Sequence, residues 1–172
     1  GVNLRTIGLY ALVGLPYTLK FLWAPLVDAL DIPILSRALG RRRGWLVFSQ
    51  LLLALAIVFL AFQNPSAVLW PVALGAVMVA TASATQDIVI DAFRVESLDT
   101  SEQAAGMAGY VAAYRIGMLA YGAGVIALTG WLEHIGVSRD TVWMWGFIAA
   151  AGLMVIGIFA SLMATEPAAP AD

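Results

Sequence analysis

The chain reads as long apolar runs separated by short polar breaks. A helix needs about 20 mostly apolar residues to cross a bilayer. Five stretches meet that requirement: Thr6 to Ala29, Trp45 to Phe62, Val68 to Phe93, Ala104 to Trp131, and Val142 to Met163. None shows the two-residue alternation that marks a lipid-facing barrel strand. Backbone groups in lipid have to be satisfied within the segment, so the runs are predicted to be helices. The pattern predicts an all-α, polytopic membrane protein with five transmembrane helices. The bundle is expected over residues 1–166. A linker is expected to start at 167–172, where the chain turns rich in Pro and Ala.

Composition agrees. Of 172 residues, 62% are hydrophobic and 12% are charged, against roughly 45–50% and 25% in soluble domains. The net charge of −2 implies no nucleic-acid partner. Cysteine is absent, so neither a disulfide nor a thiolate metal site is expected, and no cofactor is read from the sequence.

Charge sets the orientation. Arg37, Arg41, Arg42 and Arg43 all lie between the first and second spans. Short loops rich in Lys and Arg stay cytoplasmic, so the first span is predicted to run from outside to inside. The loop around Glu96, Asp99 and Glu102 and the C-terminal stretch then share the inner side. Trp70, Trp131, Trp143 and Trp145 fall at outer span ends and Trp45 at an inner one, as in an interfacial aromatic belt. An odd span count and a first residue that is Gly1 rather than Met lead us to expect at least one further helix upstream.

Ionisable residues inside the spans demand a reason, because each costs about 2.5–3.5 kcal/mol at mid-bilayer. Lys20, Asp87, Asp91 and Arg115 are the candidates. Counting about 1.5 Å per residue from the inner span ends places Lys20, Asp87 and Arg115 at roughly 14–16 Å depth. Asp28, Arg94 and the arginine cluster form a second tier near the inner surface. Two roles stay open for the deeper tier. Asp87 and Arg115 can form a structural ion pair, or one of the deeper charges faces a water-filled path and binds substrate or carries a proton. Gln86, beside Asp87, fits either an interhelical hydrogen bond or a substrate contact.

Asp87, Asp91 and Arg94 are spaced i, i+4, i+7 and share a helical face with Ala76, Ala80 and Ser83. Ala104, Ala108, Val111 and Gly122 flank Arg115 in the same way. Small residues let membrane helices approach closely, so both faces are expected to pack on protein. The charge-free second and fifth spans are expected at the lipid-facing periphery. Pro16 and Pro25 are expected to kink the first span. Tyr10, Tyr17, Tyr110, Tyr114 and Tyr121 either line a polar cavity or pack as aromatics. His134 falls in an outer loop. An intramembrane enzyme stays as an alternative class, although no HExxH or GxSxG occurs and Asp87 and Asp91, one turn apart, are poorly placed to flank a substrate.

Four blocks occur in order: Lys20-Phe-Leu-Trp-Ala-Pro-Leu-Val-Asp28, Gly40-Arg-Arg-Arg-Gly-Trp45, Gln86-Asp-Ile-Val-Ile-Asp-Ala-Phe93 and Tyr114-Arg-Ile-Gly-Met118. Asp28 with Gly40 to Arg43 resembles the loop motif between the second and third helices of the major facilitator superfamily. Asp31 to Leu39 lengthen the spacing, and Ala24 stands where glycine is common. Together the blocks resemble the AmpG muropeptide permease family, to which the eukaryotic acetyl-CoA transporters are related.

The resemblance implies helices two to six of an N-terminal half, with a first helix and a C-terminal half as partners in the same protein. It places the charge-free spans at the third and sixth positions, outside the cavity. It implies a multi-pass protein of the bacterial inner membrane, importing anhydromuropeptides with protons during peptidoglycan recycling; another anionic metabolite such as acetyl-CoA is the alternative cargo. Lys20, Gln86, Asp87, Asp91 and Arg115 are then the candidate substrate or proton site, and Asp28, Arg41, Arg42, Arg43 and Arg94 the candidate cytoplasmic gate.

Overall fold

A computed structural model describes Gly8 and residues 11–63 and 69–168. Tyr10, the first residues of the first predicted span, Val68 and linker residues 169–172 lie outside the described residues. Every regular element among the described residues is helical.

The first predicted span is broken rather than continuous. A 3-10 turn over Leu12–Gly14 leads into α1 (Leu15–Leu19), then a second 3-10 turn over Lys20–Leu22, then α2 (Ala24–Ala29). Pro16 and Pro25 each sit in the first turn of one short helix. A proline there gives up an N–H that the helix leaves unpaired anyway, and its ring stops the preceding helix from running through. The break therefore falls between Leu19 and Ala24, at the level of Lys20.

A short α3 (Leu35–Leu39) lies in the loop after the first span, followed by α4 (Arg41–Ala61), α5 (Leu69–Ser97), α6 (Gln103–His134) and α7 (Arg139–Met163). These four long helices are each long and apolar enough to cross a membrane. They extend past the apolar runs because a helix need not stop at the hydrocarbon boundary. α4 starts on three arginines and α5 continues beyond Arg94 to Ser97.

The charge-free α4 is central, wedged between α5 and α7. Its most apolar stretch is 44% buried, against 0% for α6 and 17% for α7. Leu53 and Ile57 of α4 meet Ala82 of α5 and Ala150 and Ala151 of α7 in one core. Val27 of α2, Leu46 of α4, and Ile88 and Val89 of α5 form a second core nearer the arginine cluster. Conversely, Ala104, Ala108 and Val111 beside Arg115 are exposed within this chain. In lipid an apolar surface is neutral between neighbour and solvent, so absence of charge does not assign a helix to the periphery; close fit does.

Gly44 shows that fit. A Cβ there would lie 2.9 Å from the Ser36 nitrogen and 3.0 Å from the Leu35 carbonyl carbon, both backbone atoms of α3. Gly44→Ala is expected to push α3 away and cost about 1–3 kcal/mol through overpacking. Its unfolding midpoint in detergent should fall, whereas Gly117→Ala, with open space around it, should leave the midpoint in place.

Candidate functional site

The break in the first helix is laced to α5 by side chains. Tyr17 donates its hydroxyl to Ser83 Oγ at 2.7 Å. Lys20 Nζ donates to Asp87 Oδ2. The Trp23 indole donates to Thr85 Oγ1 at 3.2 Å. Asp87 is claimed a second time: Tyr110 of α6 donates its hydroxyl to Asp87 Oδ1 at 2.9 Å. One carboxylate thus joins three helical segments.

A cavity of about 750 Å³ opens beside this carboxylate. Tyr17, Ser83, Gln86, Asp87, Tyr110 and Tyr114 are on its wall. The Lys20 and Asp87 side chains are 33% and 29% exposed, so their ion pair is not sealed in the core, and its carboxylate faces the cavity. Gln86 also presents a buried Oε1 that has no hydrogen-bond partner among the described residues. An ion pair that is part-exposed, with its carboxylate on a cavity wall, is a place where a charged group can exchange partners at small cost.

Among the described residues Lys20, Asp87 and Tyr110 are brought together at the deeper level, and Arg115 is not brought to them. Arg115 is exposed, makes no ion pair among the described residues and is not on the cavity wall. Its neighbour Tyr114 is on the wall. One residue is about 100° of helix rotation, so equal depth did not mean equal direction. Tyr121 is likewise exposed and off the wall.

Arg94 moves too. It pairs with Asp91 at 3.4 Å, and its guanidinium carbon lies 6.0 Å from the Tyr110 ring centre. Its Nε is buried without a partner among the described residues. Arg94 thus belongs with Asp91 and Tyr110 between the tiers, not with the inner cluster. The α5 residue that meets the arginine cluster is instead Glu96, about 200° further round the helix and facing α4.

The inner cluster centres on Arg42, whose side chain is 6% exposed. Its Nε donates to Glu96 Oε2 at 2.8 Å and its Nη2 to Glu96 Oε1, a bidentate pair. Its Nη1 donates to Asp28 Oδ1 at 2.8 Å. Arg41 adds Nη1 to the Asp28 carbonyl at 2.7 Å and Nη2 near Glu96 at 3.6 Å. Asp28 ends the first span, Arg42 begins α4 and Glu96 ends α5, so three helix ends are tied on one side. Arg43 points elsewhere, donating Nε to the Ser161 carbonyl at 3.2 Å and Nη2 to the Leu162 carbonyl. Sequence reasoning missed Glu96 as a partner because it lay beyond the apolar run.

Residues 2–73 match the model of the acetyl-coenzyme A transporter 1 family. The anhydromuropeptide permease of Escherichia coli K12 is 41% identical over 167 residues, which cover 96% of this chain and 31% of the permease. A Rickettsia conorii protein carrying the name AmpG 4 is 38% identical over 128 residues, 74% of this chain and 31% of that protein. A Haemophilus influenzae protein is 39% identical over 167 residues, covering 96% and 36%. The chain thus spans about a third of the length of the curated relatives it matches. Its helices form part of a major facilitator bundle, and by identity sustained along nearly all of its residues the chain belongs to the AmpG permease family.

Proposed function

We propose that this chain supplies part of a proton-coupled importer of anhydromuropeptides in a bacterial inner membrane. The observation that carries the proposal is Asp87, a carboxylate on a cavity wall whose two oxygens are held by Lys20 and Tyr110 from two other helical segments. Its likeness to the Escherichia coli anhydromuropeptide permease supports the choice of cargo. Protonation of Asp87 removes the charge that holds Lys20 and lets the broken first helix part from α5. The freed ammonium then meets a carboxylate of the sugar-peptide, while Gln86 and the tyrosines offer hydrogen bonds. Asp28, Arg41, Arg42 and Glu96 close the inner side, and alternating access rocks the bundle around the midplane site against helices of the same protein beyond this chain. The chemistry is binding and release rather than bond cleavage.

Proton-driven uptake into vesicles tests the reading. Asp87→Asn should abolish accumulation against a gradient and its pH dependence, while exchange of labelled for unlabelled substrate persists. Accumulation that keeps its pH dependence sinks the assignment. A second cargo is favoured by the match of residues 2–73, which contain Lys20, Asp28 and the arginine cluster, to an acetyl-CoA transporter family. Competition by unlabelled acetyl-CoA, stronger than by anhydromuropeptide, would select it.

A further inference from the structure

The first turn of a helix leaves N–H groups without intrahelical partners. In α4 these are not capped from within, since the preceding residue is Gly40, with φ 92° and no side chain. The carboxylate of Glu166, three residues beyond the end of α7, takes that place. It accepts the Arg42 N–H at 2.8 Å and the Arg43 N–H at 2.9 Å. A negative group there also meets the positive end of the helix dipole. Gly40 makes room for it: a Cβ at position 40 would run into the Glu166 side chain. The favour is returned by Arg43, which donates to the Ser161 and Leu162 carbonyls at the end of α7. Two helix ends far apart in the chain thus satisfy each other's unpaired backbone groups.

We propose that Glu166 is a positioning residue for the inner gate, and that the segment from Ala164 to Glu166 is the strap that sets it. The proposal rests on the gate reading of Asp28, Arg42 and Glu96. Arg42 is held twice: its backbone N–H by Glu166, and its guanidinium between Asp28 and Glu96. With its side chain almost fully buried, it has little freedom to re-aim. A displacement of Glu166 shifts the first turn of α4, and the bidentate geometry with Glu96 is lost with it. Movement of the strap and opening of the inner side are therefore one event.

These 172 residues contain no cysteine, and the test is made in the full protein with any cysteine outside them replaced. Ala113→Cys puts a single thiol on the cavity wall. Its alkylation by a membrane-impermeant maleimide in inside-out vesicles reads access from the inner side. Glu166→Ala is expected to raise the alkylation rate severalfold, Glu166→Gln less so, and Gly40→Ala, which evicts the same carboxylate, about as much as Glu166→Ala. Arg42→Gln tests the gate itself. If Arg42→Gln raises the rate and Glu166→Ala does not, the strap proposal is overturned while the gate stands. If Arg42→Gln changes nothing, the gate reading fails and takes the proposal with it. Hydrogen exchange at the Arg42 and Arg43 amides checks the cap directly. Faster exchange in Glu166→Ala is expected, and unchanged exchange overturns the proposal whatever the alkylation shows.

Discussion

Glu96→Ala should lower the stability of the bundle by about 3–5 kcal/mol, the range for stripping one partner from a buried ion pair. The Arg42 side chain is 6% exposed and Glu96 19%, so the stranded guanidinium has little water to turn to. Asp28, at 54% exposed, is the only carboxylate left within reach of its side chain among the described residues, and it bonds one nitrogen only. Most of the loss is the cost of an unpaired buried charge rather than the worth of the pair. The double substitution Arg42→Met with Glu96→Leu should accordingly recover most of it. Glu133→Ala is the contrast. Its partner Arg139 is 89% exposed at 3.8 Å, and exposed pairs of this kind contribute about 0–1 kcal/mol. Equilibrium unfolding in a bilayer mimic separates the two. Equal losses at Glu96 and Glu133 would mean that the inner cluster is no more than surface charge.

The second large effect separates a structural ion pair from a transport site at Lys20 and Asp87. Asp87→Asn alone should both destabilise the bundle and abolish proton-driven accumulation. Adding Lys20→Met removes the uncompensated ammonium and should restore stability, with a coupling between the two sites of about 0.5–3 kcal/mol. Accumulation should stay lost in the double variant, because no titratable carboxylate has returned to the cavity wall. Recovery of stability together with proton-driven uptake would assign the pair to packing alone. Tyr110→Phe belongs in the same series. It removes the hydroxyl on Asp87 Oδ1 but keeps the ring beneath Arg94, so it isolates the hydrogen bond from the aromatic contact.

The presence of helices was legible in the apolar runs, and the broken first span in its two prolines. Helix ends were not, since an apolar run marks the hydrocarbon boundary and not the end of the hydrogen-bonded helix, while α4 opens on Arg41 and α5 closes on Ser97. The Lys20–Asp87 contact was visible as opposite charges at one depth. The choice of Lys20 over Arg115 was not, because depth is set by residue count and direction by rotation about the helix axis. Arg115 and the wall residue Tyr114 differ by one position and by a quarter turn or more. The central place of α4 was hidden for another reason: Gly44, Ala56 and Ala61 pack by shape, and shape leaves no charge pattern. Glu166 was the hardest to see. Its partners are two backbone N–H groups, which every residue but proline carries, and it sits in a stretch whose composition reads as linker.

The break at Lys20 has a consequence for the order of events during synthesis. α1 and α2 have five and six residues, far below the roughly 12–15 at which a helix becomes even marginal alone in water. Irregular backbone at membrane depth survives only against protein or water. Asp87 lies 67 residues downstream of Lys20. At about 5–20 residues per second, the ribosome delivers it about 3–13 s after Lys20 has been made. Through that interval the lysine has to reach for the headgroups, so the broken span settles only after α5 has been made.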